Sequence, residues 1–228
     1  MGMKGKVALG AVVGIVVIGA VSANAGDGGN SDSGSGAKSS SASGDRTTGG
    51  EKEKDAAGAA EKKAAFAGDG DFQVGTDVKP GTYRTTGNTD GMCYWERAKD
   101  SSGEVDSLLA NDNVTGTSYV TVKATDKLFS SSGCKDWEAV DEKAKGSPGS
   151  TMSGDGGMFR VGVDIAPGTY RSSGNADDSC YWERTKDAEH GLESIIANDN
   201  VTGSAVVTIS ASDVYFKTTG CQDWKKSG

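Results

Sequence analysis

The sequence predicts an all-β protein: two tandem, small antiparallel β-sandwich or barrel modules, each with one disulfide, after a disordered stalk. Three observations predict it. Sliding the chain against itself by 87 positions lays Phe72–Trp137 on Phe159–Trp224 without a gap, and 36 of the 66 positions are identical. Within each copy the β-prone runs are short and separated by Asn-, Asp- and Gly-rich turns. In neither copy does an apolar stripe of helical period persist.

Lys4 and Lys6 precede an apolar run of fifteen residues, Val7 to Val21, and Ser22-Ala23-Asn24-Ala25 ends it in an Ala-x-Ala arrangement. A basic start, an apolar centre and such a site make residues 1–25 a secretory signal peptide, cleaved after Ala25. An uncleaved anchor is the alternative, because the run approaches the roughly 20 residues that span a bilayer. In both cases the positive charges precede the run, which places the rest of the chain outside. No cysteine follows the run, so a bacterial-lipoprotein type of anchor is excluded. The expected location is extracellular or at the cell surface. Membrane attachment would come only through this segment, if it is retained.

Residues 26–67 read as a low-complexity, flexible stalk. From Gly26 to Gly50 the residues are nearly all small or polar, and they cannot bury enough surface to offset their ordering entropy. Glu51 to Phe66 holds good helix formers, but Gly58 interrupts them and no apolar stripe exists, so a frayed surface helix is the most expected there. A second linker, 139–153, carries the Gly-Ser-Pro-Gly cluster at 146–149 and joins the two modules.

The modules themselves are expected at 68–138 and 154–226. A unit of about 66–70 residues has a marginal core and benefits from a staple. One ancestral copy held only two cysteines, so the economical pairing is Cys93 with Cys134 and Cys180 with Cys221. Closing a loop of about 42 residues contributes on the order of 4 kcal/mol in the chain-entropy model. Pro80-Gly81 reads as the centre of a type II turn leading into Thr82–Thr85. Cys93 to Arg97 is a further strand, in which Trp95 shares the face of Cys93 while Tyr94 and Glu96 point away. Leu108-Leu109, Tyr119–Val122 and Lys127–Phe129 complete roughly five to seven strands per module.

Charge narrows the function classes. The net charge of −8 rests on the two folded regions, at −5 for residues 68–138 and −5 for residues 154–225, and neither offers the basic patch that phosphate backbones require. Nucleic acid is therefore not an expected partner. Cofactors and metals are not expected either. Asn111-Asp112-Asn113 and Asn198-Asp199-Asn200 lack the ligand spacing and the bidentate Glu of a calcium loop, and Asx-turns before Gly116 and Gly203 explain them. Asn113 and Asn200 also begin Asn-Val-Thr sequons, which suit a surface turn. His190 is the single histidine and stands opposite Gly103, so a histidine-based triad cannot operate in both copies. It reads as a surface-loop residue. The shared acidic residues are plentiful, but a module this small rarely encloses a substrate cleft, and no enzyme is expected.

The richest shared constellation is Tyr94-Trp95-Glu96-Arg97 with its counterpart Tyr181-Trp182-Glu183-Arg184. Two readings stand. In one, the Trp packs on the disulfide and the Arg pairs with a carboxylate. In the other, Tyr94, Glu96, Arg97 and Asn111, with Tyr181, Glu183, Arg184 and Asn198, form shallow recognition faces, Tyr and Arg being typical anchors.

The strings PGTYRT, CYWER, LLANDNVTG or IIANDNVTG and GCxxW resemble a module of uncharacterised exported actinobacterial proteins. The resemblance covers both repeats and none of the stalk. It implies an envelope or extracellular location and carries over no site residues. The expected function is a non-enzymatic, exported binding or surface-display protein, with a cell-wall glycan or an extracellular protein as ligand. A structural envelope protein without a ligand pocket is the alternative, and a secreted hydrolase or protease inhibitor is a third.

Overall fold

The computed structural model describes residues 64–227. The signal segment, its Ala25 site and the stalk as far as residue 63 lie outside the described residues. Among those described, eleven strands follow in order. They are β1 (Gly70–Gln73), β2 (Gly81–Ala98), β3 (Leu108–Val122), β4 (Leu128–Ser132), β5 (Glu138–Ala139) and β6 (Thr151–Met152), then β7 (Gly157–Arg160), β8 (Gly168–Thr185), β9 (Ile195–Ile209), β10 (Tyr215–Thr219) and β11 (Trp224–Lys226). Single 3-10 turns at Val105–Ser107 and Leu192–Ser194 precede β3 and β9. The described residues are nearly all β in their regular structure, and their sheet does not close, so no barrel forms among them.

The centre of each module is one long hairpin. β2 pairs with β3 along its length, its first half also takes β5 and its second half takes β4. β8 is built in the same way with β9, β11 and β10. Sequence reading expects separate strands here, with a turn at Asn111–Asn113. Instead Asn111 and Asn113 stand inside β3, opposite Glu96 and Tyr94. The ladder supplies the backbone bonds that an Asx-turn would otherwise offer, and irregularities around Asn88 bend the strands without ending them. The turn expected at Pro80-Gly81 forms earlier: Gly75 takes a positive φ of 95°, and the Asp77 carboxylate accepts the Gln73 N–H at 2.9 Å.

Residues shared by the copies build similar cores. The disulfides join Cys93 to Cys134 and Cys180 to Cys221, each with Cα atoms 4.2 Å apart. Cys93, Trp95, Phe129 and Trp137 pack in the first core, and Cys180, Phe216 and Trp224 in the second, with Trp182 at its margin. Trp137 Nε1–H donates to Ser131 Oγ at 2.9 Å, and Trp224 Nε1–H to Thr218 Oγ1 at 2.9 Å. Buried Asn88 and Asn175 each donate to a glycine carbonyl and accept a backbone N–H, which satisfies polar groups that would otherwise be costly.

Two expectations at the module borders change. Phe66, read as the end of the stalk, is buried against Phe72, Tyr83 and Trp137, because its backbone bridges to Trp137. The stretch 139–153, read as a linker, is tied down at both ends: Ala139 pairs with Tyr83, and Met152 with Trp224. Both modules belong to one compact unit. They meet along the outer edge of β3.

Candidate functional site

Of the predicted recognition residues, the Tyr, Glu and Asn of each copy come together, and the Arg does not. Tyr94 Oη donates to Glu96 Oε2 at 2.7 Å, and Asn111 stands across the ladder from Glu96. In the second copy Tyr181 Oη donates to Glu183 Oε2 at 2.7 Å and receives Asn198 Nδ2–H at 3.2 Å. Burial, followed by the adjacent Glu96 carboxylate, raises the Tyr94 hydroxyl to about 12, so it remains a neutral donor. Burial and Glu183 push Tyr181 upward in the same sense. The two arginines do not belong to this face. Arg97 forms a two-pronged pair with Asp126 at 2.7 and 3.1 Å, and Arg184 does so with Asp213 at 2.6 and 2.9 Å. Arg97 and Arg184 therefore act first as partners of buried carboxylates, which must be paired to be tolerated in the interior.

The copies differ in what covers them. The second module lays residues 188–190 along the free edge of β3: Thr121 N–H donates to Ala188 C=O at 2.8 Å, and His190 Nε2 meets Tyr119 C=O at 2.7 Å. Further along the edge, Thr117 pairs with Gly157 in parallel, and Thr117 N–H donates to Gly156 C=O. Gly116 is pressed so closely here that a Cβ would collide with the Gly156 carbonyl, whereas a Cβ added at its twin Gly203 would meet open space. The His190 ring packs edge-on against Trp95, with centroids 4.7 Å apart, and Arg97 Nη1–H donates to the Glu189 carbonyl at 2.8 Å. Ion pairs Lys123–Glu189 and Lys217–Asp112 cross the seam at 2.7 Å each, and Tyr119 Oη donates to Asp164. Tyr119, Met158, Ala188 and Tyr215 form a third apolar cluster.

His190 is thus a seam residue rather than a surface-loop one. Burial, with Lys217 nearby, pulls its imidazole below the ordinary histidine range and keeps it neutral. Since Tyr119 offers a carbonyl, Nε2 carries the proton. Glu183, expected on an exposed face, is only 8% exposed because it faces the seam. These corrections share one cause: a comparison within the chain aligns the copies but cannot show that one lies on the other. A signal was nonetheless present. Tyr119, Met158, His190, Tyr215 and Lys217 stand where the twin copy has Val206, Asp71, Gly103, Leu128 and Ser130.

Module 2 keeps the same face open. β9 pairs with β8 alone, and Val206, the twin of Tyr119, is 60% exposed. Trp182 is half-buried where Trp95 is sealed. Trp95 Nε1–H donates to Ser118 at 3.1 Å, but Ala205 replaces that serine in the second copy, so the Trp182 N–H has no partner among the described residues. The Arg184 side chain is 21% exposed against 4% for Arg97, and its Nη1, unlike that of Arg97, is unbonded among the described residues.

Three hollows lie in the seam. One, of about 310 Å3, is lined by Arg84, Tyr119, Val140, Arg160 and Val163, but Arg84 is committed to Glu138, and Arg160 to the carbonyls of Asp141 and Glu142. Another, of about 130 Å3, is polar and includes Asn111, Glu183, His190, Ser194 and Lys217. Among the described residues no three His, Cys, Asp or Glu side chains cluster closely enough to hold a metal ion.

The repeat and its boundaries have counterparts in known proteins. Uncharacterised proteins of Mycobacterium tuberculosis (Rv1352) and Mycobacterium bovis (Mb1387) are each 32% identical to this chain over 95 residues, covering 36% of this chain and 76% of theirs. No solved structure matches. A model of the Rv1352-like extracellular domain matches twice, at residues 64–138 and 150–225. The chain belongs to the Rv1352-like extracellular domain family, with two tandem copies of the domain.

Proposed function

We propose that this is an exported, non-enzymatic binding and surface-display protein whose second module captures an extended loop of an extracellular protein. The observation that carries the reading is internal. Module 1 holds a polypeptide loop on its β3 edge, with Arg97 on a backbone carbonyl and Trp95 under an imidazole ring. Module 2 carries the same edge, the same Trp and the same Arg, and they are open. An uncovered sheet edge is a template for strand addition, in which main-chain bonds supply affinity and flanking side chains supply selectivity. The Trp182 indole N–H, the Arg184 guanidinium and the outer backbone groups at Ser204, Val206 and Thr208 suit a carbonyl-rich segment bearing an aromatic or imidazole side chain. The signal sequence read at residues 1–25 delivers the modules outside.

This reading favours protein over cell-wall glycan. It also replaces two independent sites on a linker by one open site per chain, because the first is filled by its neighbour. The test uses a synthetic peptide of residues 186–192, the segment that module 1 holds, titrated into the full chain by NMR. Saturable shifts around Trp182, Arg184 and Val206, abolished by Trp182→Ala, are expected. No binding of the peptide, together with saturable binding of soluble peptidoglycan fragments at Trp182, would sink the protein-loop reading in favour of a glycan. Silence from both would leave the structural envelope role as the better account.

A further inference from the structure

We propose that the polar hollow lined by Glu183, His190, Ser194 and Lys217 binds a small primary ammonium compound bearing a hydroxyl group, of the size of ethanolamine. The site is separate from the open face of module 2 and occurs once per chain, since Gly103 and Ser130 replace His190 and Lys217 in the first copy.

Ser194 provides the first reason. It is buried, and among the described residues its hydroxyl is the one buried side-chain oxygen or nitrogen without a hydrogen-bond partner. Native proteins rarely leave such a group unmatched. A single difference between the copies creates the orphan. In module 1 Ser107 Oγ donates to Asp100 C=O at 3.3 Å, opposite Ala98. In module 2 the position of Ala98 is Thr185, whose hydroxyl takes the equivalent Asp187 C=O at 2.9 Å. Ser194 is displaced from its partner and lines the cavity.

Size and charge choose the occupant. A volume of about 130 Å3 is below the roughly 300–1,000 Å3 of pockets for larger ligands. At about 30 Å3 per water it holds roughly four waters' worth of atoms. Asp112 neutralises Lys217 at 2.7 Å, and His190 is neutral, which leaves the Glu183 and Asp187 carboxylates to set the sign. One Glu183 oxygen accepts the Tyr181 hydroxyl, while the other has no partner among the described residues. An ammonium group satisfies that oxygen, and a hydroxyl two carbons away satisfies Ser194. A carboxylate would be repelled, and a neutral polyol would leave the charge unmatched.

The experiment is an NMR titration of the full chain with ethanolamine, with acetate and glycerol as comparisons. Saturable shifts at the amides of Gly191, Ser194 and Lys217 are expected for ethanolamine alone. Glu183→Gln should weaken binding by roughly tenfold or more, the loss expected for a charge-assisted hydrogen bond. Thr185→Ala returns the Asp187 carbonyl to Ser194 and should weaken binding too, while keeping the fold. It decides the matter if Glu183→Gln disturbs the seam. No saturable shift, an equal response to glycerol, or binding indifferent to Thr185→Ala would overturn the proposal. An equal response to glycerol would show a polyol site that does not select for charge.

Discussion

His190 packs its ring on Trp95 and bonds to Tyr119 across the seam. Its φ of 58° puts a residue with a Cβ in the left-handed region, where each such residue costs about 1–2 kcal/mol. The ring contact with Trp95 contributes about 0.5–1.5 kcal/mol and the bond to Tyr119 about 1 kcal/mol, which offset that strain. His190→Gly, the residue of the first copy, removes the contacts and the strain together. Its expected net cost is about 1 kcal/mol, read from chemical denaturation. The pH dependence is the sharper readout. Burial lowers the folded-state pKa below the unfolded value of about 6.5, so the unfolded chain binds the proton more readily. The stability contribution is therefore complete above pH of about 6.5 and is lost as pH falls from there towards the folded-state pKa. His190→Gly should flatten that slope, and an unchanged slope would assign it to other groups.

At the scale of elements, the matched strands β2 and β8 allow a controlled comparison. Arg97 and Arg184 both hold a buried aspartate, and both aspartates also accept a backbone N–H, from Lys123 and Ser210. Arg97 is the more enclosed and additionally reaches across the seam. Arg97→Ala should cost about 3–5 kcal/mol, the range for stranding one charge of a buried pair. Arg184→Ala should cost less, since water reaches its site from the open face. Equal losses in the two denaturation curves would show that the seam adds nothing to the pair. β3 and β9 differ in the same way: one outer edge is covered by the other module and the other is bare.

For the whole molecule, the seam makes two homologous domains into one unit. Burial of Met158 alone contributes about 1.5–3 kcal/mol relative to exposure, and Tyr119 and Tyr215 add larger rings. The described unit is expected to unfold in a single calorimetric transition. Giving Tyr119, His190 and Lys217 their twins' identities (Tyr119→Val, His190→Gly and Lys217→Ser) should split it into two. A wild-type chain that already melts in two steps would mean that the seam is too weak to couple the modules. Much of this was legible beforehand. The repeat, the β class and the shared side of Tyr94 and Glu96 follow from local pattern, because strand alternation and the 87-residue offset are properties of the chain itself. The place of Asn111 beside them follows from strand pairing instead. The exposure of Glu183 and the role of His190 were not legible, because each depends on which surface the neighbouring module covers.

The sequence by itself determined the module: its identical positions specify the Trp–Cys core and the paired arginines, each of which closes within one copy. Only the tertiary structure decided how the copies use that module. Packing one on the other sealed Trp95 and left Trp182 open, displaced Ser194 from its partner, and set His190 between the two. The physical reason is that burial and hydrogen bonding within a copy are encoded by short periodic patterns. A contact between copies is encoded by scattered differences, such as Tyr119 for Val206 and His190 for Gly103, whose meaning appears only when the two surfaces meet.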